Sequence, residues 1–446
     1  MSCTSEKWVP ALFSAWEAAG IKYVVLRNYE KLPADTGNDL DLLVDPVRMA
    51  EAERILIRVM KENGALLHNR AEFSPVSIFF YDPVTLDQFH IDLFRDLKWR
   101  GFDLLRTADV LNRARRYNGM SVPSPQDEAV LNLITRLVFG GYVRDKYREP
   151  VRKTFTESPD AVLPVLTEAA GPLAPVMLEK AQRGDWEGIE TLTSQFRKII
   201  IRRALKNPLK MLADQLYDVK RLLARWLRTP GLVMVLAGPD GCGKTSVGVQ
   251  LKERLAGTFY RDYTTYMHWK PRLLKKMADA ANPFGTPRTE PHGKPARGPV
   301  MNVLYFLAHT LEIPPAWLLR VRSRLFRNKM VIIDRYYYDY MVDPRRYRMR
   351  VSKQMAWFAY RFMPKPDLVF CLTAPTEVIQ TRKKEVAPEE TERQRLVYEQ
   401  TIGRLPYGHI VDTNRPLQQV VDEVEGIVLR YLADRTQRRM RRSAGN

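Results

Sequence analysis

Gly238-Pro239-Asp240-Gly241-Cys242-Gly243-Lys244-Thr245 limits what this chain can fold into more than any other stretch. It fits G-x-x-x-x-G-K-[ST] in full. The apolar run Leu232-Val233-Met234-Val235-Leu236 stands before it, and residues with helical spacing follow. Such a loop needs a buried strand on one side and a helix on the other. Its glycines let successive N–H groups turn inward onto phosphate oxygens, and the helix N-terminus adds the positive end of its dipole. Lys244 can reach the β- and γ-phosphates of a nucleotide, and the Thr245 hydroxyl can ligate Mg²⁺. The candidate nucleotide-binding residues are therefore Gly238, Asp240, Gly241, Cys242, Gly243, Lys244, Thr245 and Ser246.

The strand before the loop opens an α/β region. Further apolar runs at Met330–Ile333, Leu368–Leu372 and His409–Val411 alternate with helical spacing, which predicts βαβ units and a doubly wound parallel sheet. Val331-Ile332-Ile333-Asp334-Arg335-Tyr336 places a carboxylate at the end of one such strand. There Asp334 can help hold Mg²⁺, and Arg335 can clamp a phosphoryl group.

The loop, the Asp334-Arg335-Tyr336 triplet, Pro366-Asp367-Leu368-Val369 and Asp412-Thr413-Asn414-Arg415-Pro416 together resemble the thymidylate kinase family in order and spacing, over roughly residues 231–433. The resemblance implies ATP as phosphoryl donor, Mg²⁺, and a basic lid. Arg382-Lys383-Lys384 occupy the lid position, with Arg393 and Arg395 beyond, and Arg382 is the implied phosphoryl clamp. It also implies catalytic roles for Lys244, Asp334 and Arg335.

The acceptor half departs from the pattern. Where the family carries a base-reading Arg, this chain has Tyr305-Phe306-Leu307-Ala308-His309-Thr310. A Pro- and Gly-rich insertion spans Pro283 to Pro299, and Tyr337-Tyr338-Asp339-Tyr340 follows the triplet. The block Asp343-Pro344-Arg345-Arg346-Tyr347-Arg348 is extra. An acceptor other than dTMP is expected, acidic or phosphorylated, with Tyr336, Arg345, Arg346 and Arg348 as acceptor-binding candidates.

The N-terminal part reads as a second, smaller α/β unit. A helix over 5–19 leads to a strand at Ile21–Leu26, a strand over Asp39–Val44, a helix over Val47–Asn63, and strands at Ser77–Tyr81 and Leu86–Phe94. Asp39 and Asp41 lie two apart on one strand and so project from one face, and Asp92 sits on another strand. Three converging carboxylates can hold two divalent ions. The order of elements resembles the minimal nucleotidyltransferase fold over about residues 5–100. That family places Gly-Ser at the end of its first strand, where this chain reads Leu26-Arg27-Asn28-Tyr29, so the resemblance leaves an active enzyme and a scaffold domain both open. His90 faces the same way as Asp92 and reads as a buried, hydrogen-bonded histidine rather than a metal ligand.

The expected organisation is 1–122 nucleotidyltransferase-like, 123–230 helical with a basic linker helix, 231–434 thymidylate kinase-like, and 435–446 a basic tail, frayed or disordered. The chain has 446 residues with 71 Lys and Arg against 51 Asp and Glu, a net charge of +20 that predicts anionic partners. Residues 197–228 interleave Lys and Arg with leucines and Trp226. They read first as a linker helix packing one apolar stripe on its own domains, then as a helix on an anionic membrane surface, and last as a nucleic-acid contact. Cys3, Cys242 and Cys371 are too scattered for a disulfide or zinc framework. The first residues lack the pattern of a signal peptide, and no uninterrupted apolar stretch reaches about 18 residues. A cytoplasmic protein is expected, peripheral at the inner membrane face if the basic stretch binds lipid. A homodimer follows by analogy with thymidylate kinases. The competing functions are a nucleic-acid end-processing enzyme and a nucleotide-gated regulatory protein without turnover.

Overall fold

The computed structural model describes residues 4–37, 39–259, 264–268, 298–347, 350, 352–384 and 386–444. It divides into two compact units, Met1–Leu227 and Arg228–Asn446.

The first unit is built on a mixed five-stranded sheet. Its strands are β1 (Tyr23–Val25), β2 (Leu40–Val44), β3 (Leu66–Glu72), β4 (Val76–Tyr81) and β5 (Gln88–Phe94). They lie in the order β1-β2-β5-β4-β3, with β2 and β5 parallel and the other pairs antiparallel. Strand β3 has no counterpart in the sequence reading, because Leu-Leu-His-Asn-Arg-Ala-Glu lacks β-branched residues and a clean alternation. Two hairpins follow, β6 (Leu97–Trp99) with β7 (Phe102–Leu105) and β8 (Arg115–Tyr117) with β9 (Met120–Val122).

The Pro125–Gly140 helix begins where Ser124 caps it, the Asp127 amide donating to the serine Oγ at 3.2 Å. It ends at Gly141, whose φ of +79° is the left-handed C-cap conformation that glycine adopts without strain. One apolar core runs from Val24 and Leu43 of the sheet into the helices, through Ile134, Leu137, Phe155, Leu166, Met177 and Phe196. Pro159–Arg183 is long and apolar enough to cross a membrane by composition. Its helix is interrupted at Gly171–Leu173, and Val162, Leu166, Ala170, Ala174 and Met177 belong to the core.

The second unit has β10 (Leu232–Ala237), β11 (Thr265–His268), β12 (Met330–Asp334), β13 (Leu368–Thr373) and β14 (Gly408–Asp412), all parallel in the order β11-β12-β10-β13-β14. Strands β10, β12 and β13 are buried along their whole length, as their unbroken apolar runs require. The chain places β11 and β12 on one side of β10 and then β13 and β14 on the other, so the crevice at its carboxyl end is the topological switch point where such sheets bind ligands.

The C-terminal tail differs from expectation. Leu417–Ala444 is one helix, and Arg435 is buried with its guanidinium on the carbonyls of Pro230 (2.6 Å) and Gly231 (2.8 Å). These two carbonyls directly precede β10, and the arginine supplies them with buried donors.

Candidate phosphate-binding and carboxylate sites

The loop of the second unit joins β10 to the Lys244–Arg254 helix. Gly238 has φ +136°, and a Cβ there would stand 2.3 Å from the Leu372 carbonyl oxygen, so the loop can pass over β13 only with glycine. Lys244 is buried and its ammonium donates to the carbonyls of Gly238 (2.9 Å) and Pro239 (2.8 Å). Burial works against its charge, while the Asp240 carboxylate beside it favours it, and its pKa is raised. Cys242 is fully buried against the loop, and burial pushes its thiol up, so it contributes shape and backbone rather than a thiolate. Thr245 and Ser246 are exposed at the start of the helix. The Tyr266 ring of β11 lies over this helix where a Cβ on Gly248 would meet it at 2.5 Å. Burial first and the Asp334 carboxylate second raise the Tyr266 pKa, so its hydroxyl stays protonated beside Thr245 and Asp334.

Arg335 follows β12 with φ +65°, a left-handed turn that points its guanidinium back at the loop. It pairs with Asp240 of the loop and with Asp339 Oδ2 at 3.2 Å. Arg346 reaches the other Asp240 oxygen at 2.5 Å and Asp343 at 3.4 Å. Burial disfavours the Arg335 charge, but Asp339 and Asp240 outweigh it. A loop carboxylate is thus held between two guanidiniums, 95 and 106 residues away in sequence. The cleft beside it is lined by Pro239, Asp240, Arg346, Lys383, Thr391 and Gln394.

The remaining residues singled out in the sequence fall elsewhere. Tyr336 is 2% exposed, packs on Trp317 and Tyr338, and donates to the Pro364 carbonyl at 2.7 Å. It is a core residue, not an acceptor contact. Arg382 donates to the Thr413 carbonyl at 2.9 Å and its Oγ1 at 3.3 Å, which ties the helix after β13 to the loop after β14. Lys383, one residue on, lines the cleft instead, because adjacent residues of a helix end face different ways. Arg393 and Arg395 are engaged with Glu390, Glu392 and Glu399. Arg345 is exposed, while Arg348 and most of the 283–299 insertion lie outside the described residues. Asp339 was legible only as part of a Tyr-rich run, yet it is 1% exposed and accepts from Arg335, Tyr347 and Tyr398.

In the first unit the parallel register sets Asp41 beside Asp92. Asp39, His90 and Asp92 bring one potential ligand atom each to within 4.8 Å of one another. Asp41, expected as a ligand, is fully buried and pairs with Arg27 instead. The arginine stands after β1, where Asn28 takes φ +58°, so the Arg27-Asn28 turn replaces an expected Gly-Ser with a cation aimed at the carboxylates. His90, expected as a buried structural histidine, is buried but joins the candidate ligand group.

Burial pushes the Asp41 and Asp92 carboxyls up to about 6 and lowers the His90 pKa. Asp41 Oδ1 and Asp92 Oδ1 are buried with no hydrogen-bond partner among the described residues. A carboxylate–imidazole set with an orphaned oxygen fits a divalent cation, and mixed N/O donors suit Mn²⁺ at least as well as Mg²⁺.

This predicts a pH-dependent ligand response. Without a cation, raised carboxyl pKa values mean that the native state keeps protons the unfolded chain has shed. Stability then falls as pH rises from about 4 to about 6. A cation needs Asp92 deprotonated, and burial favours the neutral His90 imidazole that a cation also needs. Mn²⁺ at about 100-fold over its Kd is expected to raise the thermal midpoint of the first unit by about 5–10 °C at pH 7.5 and by much less at pH 5. An equal rise in Asp92→Asn would show that the ion binds elsewhere.

A parallel sheet with β10 at its switch point and a G-x-x-x-x-G-K-T loop at its carboxyl end defines the second unit as a P-loop α/β fold. Searched against family models, the chain matches none. A probable thymidylate kinase from Staphylothermus marinus is 25% identical to it over 215 residues, covering 45% of this chain and 96% of that protein. Among solved structures, the thymidylate kinase of Ehrlichia chaffeensis aligns with TM-score 0.32 and 15% identity over 45% of this chain and 100% of its own. That of Candida albicans aligns with TM-score 0.33 and 16% identity over 44% and 91%.

Proposed function

We propose that the second unit is an ATP- and Mg²⁺-dependent kinase whose acceptor is a small acidic or phosphorylated molecule other than dTMP, a nucleotide, sugar or glycan precursor. The observation that carries this reading is the convergence of Lys244, Asp240, Arg335 and Arg346 at the carboxyl end of β10 and β12. The relative from Staphylothermus marinus, named a probable thymidylate kinase, supports phosphoryl transfer as the reaction class. The glycine cradle and buried ammonium have the donor set that a triphosphate needs. Bound Mg²⁺ would neutralise charge on the transferring phosphates, with Thr245 and Asp334 as the residues placed to hold it.

The chain's own residues do the rest. Lys244 exchanges its two carbonyl partners for phosphate oxygens. Arg335 is held by Asp339 so that its charge faces the loop rather than solvent. Arg346 and Lys383 line the cleft on the acceptor side. At the stretch where the thymidylate kinase pattern has a base-reading Arg, His309 Nδ1 instead meets the Tyr340 hydroxyl at 3.0 Å. That pair offers no guanidinium to a pyrimidine, which supports a different acceptor. The first unit is proposed as an accessory nucleotidyltransferase-like domain. Its Arg27–Asp41 pair must part before that carboxylate could join a cation site.

The test is transfer of label from γ-labelled ATP with Mg²⁺ to a panel of nucleoside monophosphates, sugars, sugar phosphates and nucleic-acid ends. Label is expected on a small anionic acceptor. A marked preference for dTMP would overturn the acceptor reading, and a preference for nucleic-acid ends would favour end processing.

A further inference from the structure

The helix Pro208–Leu227 is docked the opposite way round from an ordinary amphipathic helix. Its polar side faces the first unit. Asp214 takes Lys98 at 2.8 Å and Lys210 at 2.8 Å, and Gln215 donates to the Arg100 carbonyl at 2.9 Å. The Arg225 guanidinium lies 4.5 Å from the Phe73 ring centre, and Tyr217 lies under Arg95 at 4.8 Å. Its apolar side faces water. Leu209, Leu212, Leu216, Val219 and Leu223 recur at alternating spacings of three and four, the spacing of one helical stripe. They are 80%, 55%, 60%, 50% and 57% exposed, and no residue of this helix is buried. Of the three readings that the sequence left open, packing on the chain's own domains stood first and an anionic membrane surface second.

Charge decides what covers the stripe. Both acids of the helix, Asp214 and Asp218, are on the docked side and engaged with Lys98, Lys210 and Arg221. On the exposed side, Lys220 lies between Leu216 and Leu223, and Arg202 and Lys206 are exposed just upstream. An apolar stripe flanked by Lys220, with no acid of its own helix on that side, in a chain of net charge +20, is complementary to an anionic lipid surface. A second copy of the same face would set like charges together.

We infer that the Pro208–Leu227 helix lies in the interface of an anionic membrane, with Leu209, Leu212, Leu216, Val219 and Leu223 among the acyl chains and Lys220 at the headgroups. The inference is independent of the kinase reading.

The test uses the full chain and sedimentation with vesicles of phosphatidylcholine, alone or mixed with phosphatidylglycerol. Binding is expected on the mixed vesicles, at least about tenfold weaker on the neutral ones, and weakened by salt. Leu212→Asp with Leu216→Asp is expected to abolish it. Lys220→Glu, at an exposed position, is expected to weaken it about fivefold or more. Far-UV circular dichroism checks that each variant is folded. Equal binding to neutral and anionic vesicles would overturn the inference, as would undiminished binding by both variants. So would a dimer in sedimentation equilibrium, or retention on nucleic acid, that the leucine variant dissolves.

Discussion

Lys244→Ala is expected to lower phosphoryl transfer by about 10³-fold or more while the second unit stays folded. The ammonium is buried and bonded to two carbonyls of its own loop. The loop therefore stores a positive charge at the place where phosphate oxygens would arrive, and no other described lysine is buried. The alanine variant leaves the Gly238 and Pro239 carbonyls without that donor, a loss of about 1–3 kcal/mol. That is smaller than the stability of a typical domain. Labelled-ATP transfer and a thermal melt on the same sample separate the two effects. Transfer that survives the substitution would remove the kinase assignment, whatever the melt shows.

Asp339→Ala is expected to lose both stability and activity. This carboxylate is 1% exposed and accepts from Tyr398 at 2.8 Å, Tyr347 at 3.0 Å and Arg335 at 3.2 Å. Removing it leaves the Arg335 guanidinium with Asp240 and takes an acceptor from the buried Tyr398 and the half-buried Tyr347 phenols. Breaking a buried pair in this way costs about 3–5 kcal/mol. A thermal midpoint lower by about 10 °C is expected for a unit of this size. Arg335 would also lose the contact that aims it at the loop, and misplacement of such a clamp costs about 10²-fold in rate. Asp339→Asn keeps an acceptor oxygen and should recover much of the stability but little of the rate. An unchanged midpoint in the alanine variant would show that the tyrosines and Arg335 find other partners.

How far the sequence could be read depended on whether the relevant residues are neighbours in the chain. Strands β10, β12, β13 and β14 were legible because each is a contiguous apolar run. Strand β11 was not, because Thr-Tyr-Met-His carries no such signal and its pairing with β12 comes from residues about 65 positions away. Of the arginines after the triplet, sequence offered Arg345, Arg346 and Arg348 as equals. The short helical turn at Pro344–Tyr347 turns Arg346 onto Asp240 and leaves Arg345 in water. Tyr336 looked available because tyrosine serves both cores and binding sites. Its position among Trp317 and Tyr338 decides for the core.

Sequence by itself determined the phosphate loop, since its chemistry lies in eight consecutive residues whose backbone freedom and charge are local properties. It also determined that the 208–227 helix has two faces, because period is local too. Only the tertiary structure decided which face is docked, since that depends on whether Lys98, Arg95 and Phe73 or an apolar surface waits on the other side. It likewise decided that Asp39 and Asp92 are joined by His90, while Asp41 is taken by Arg27. Convergence of that kind follows from strand register and from which cation reaches a buried carboxylate first, and neither is written in any one segment of the chain.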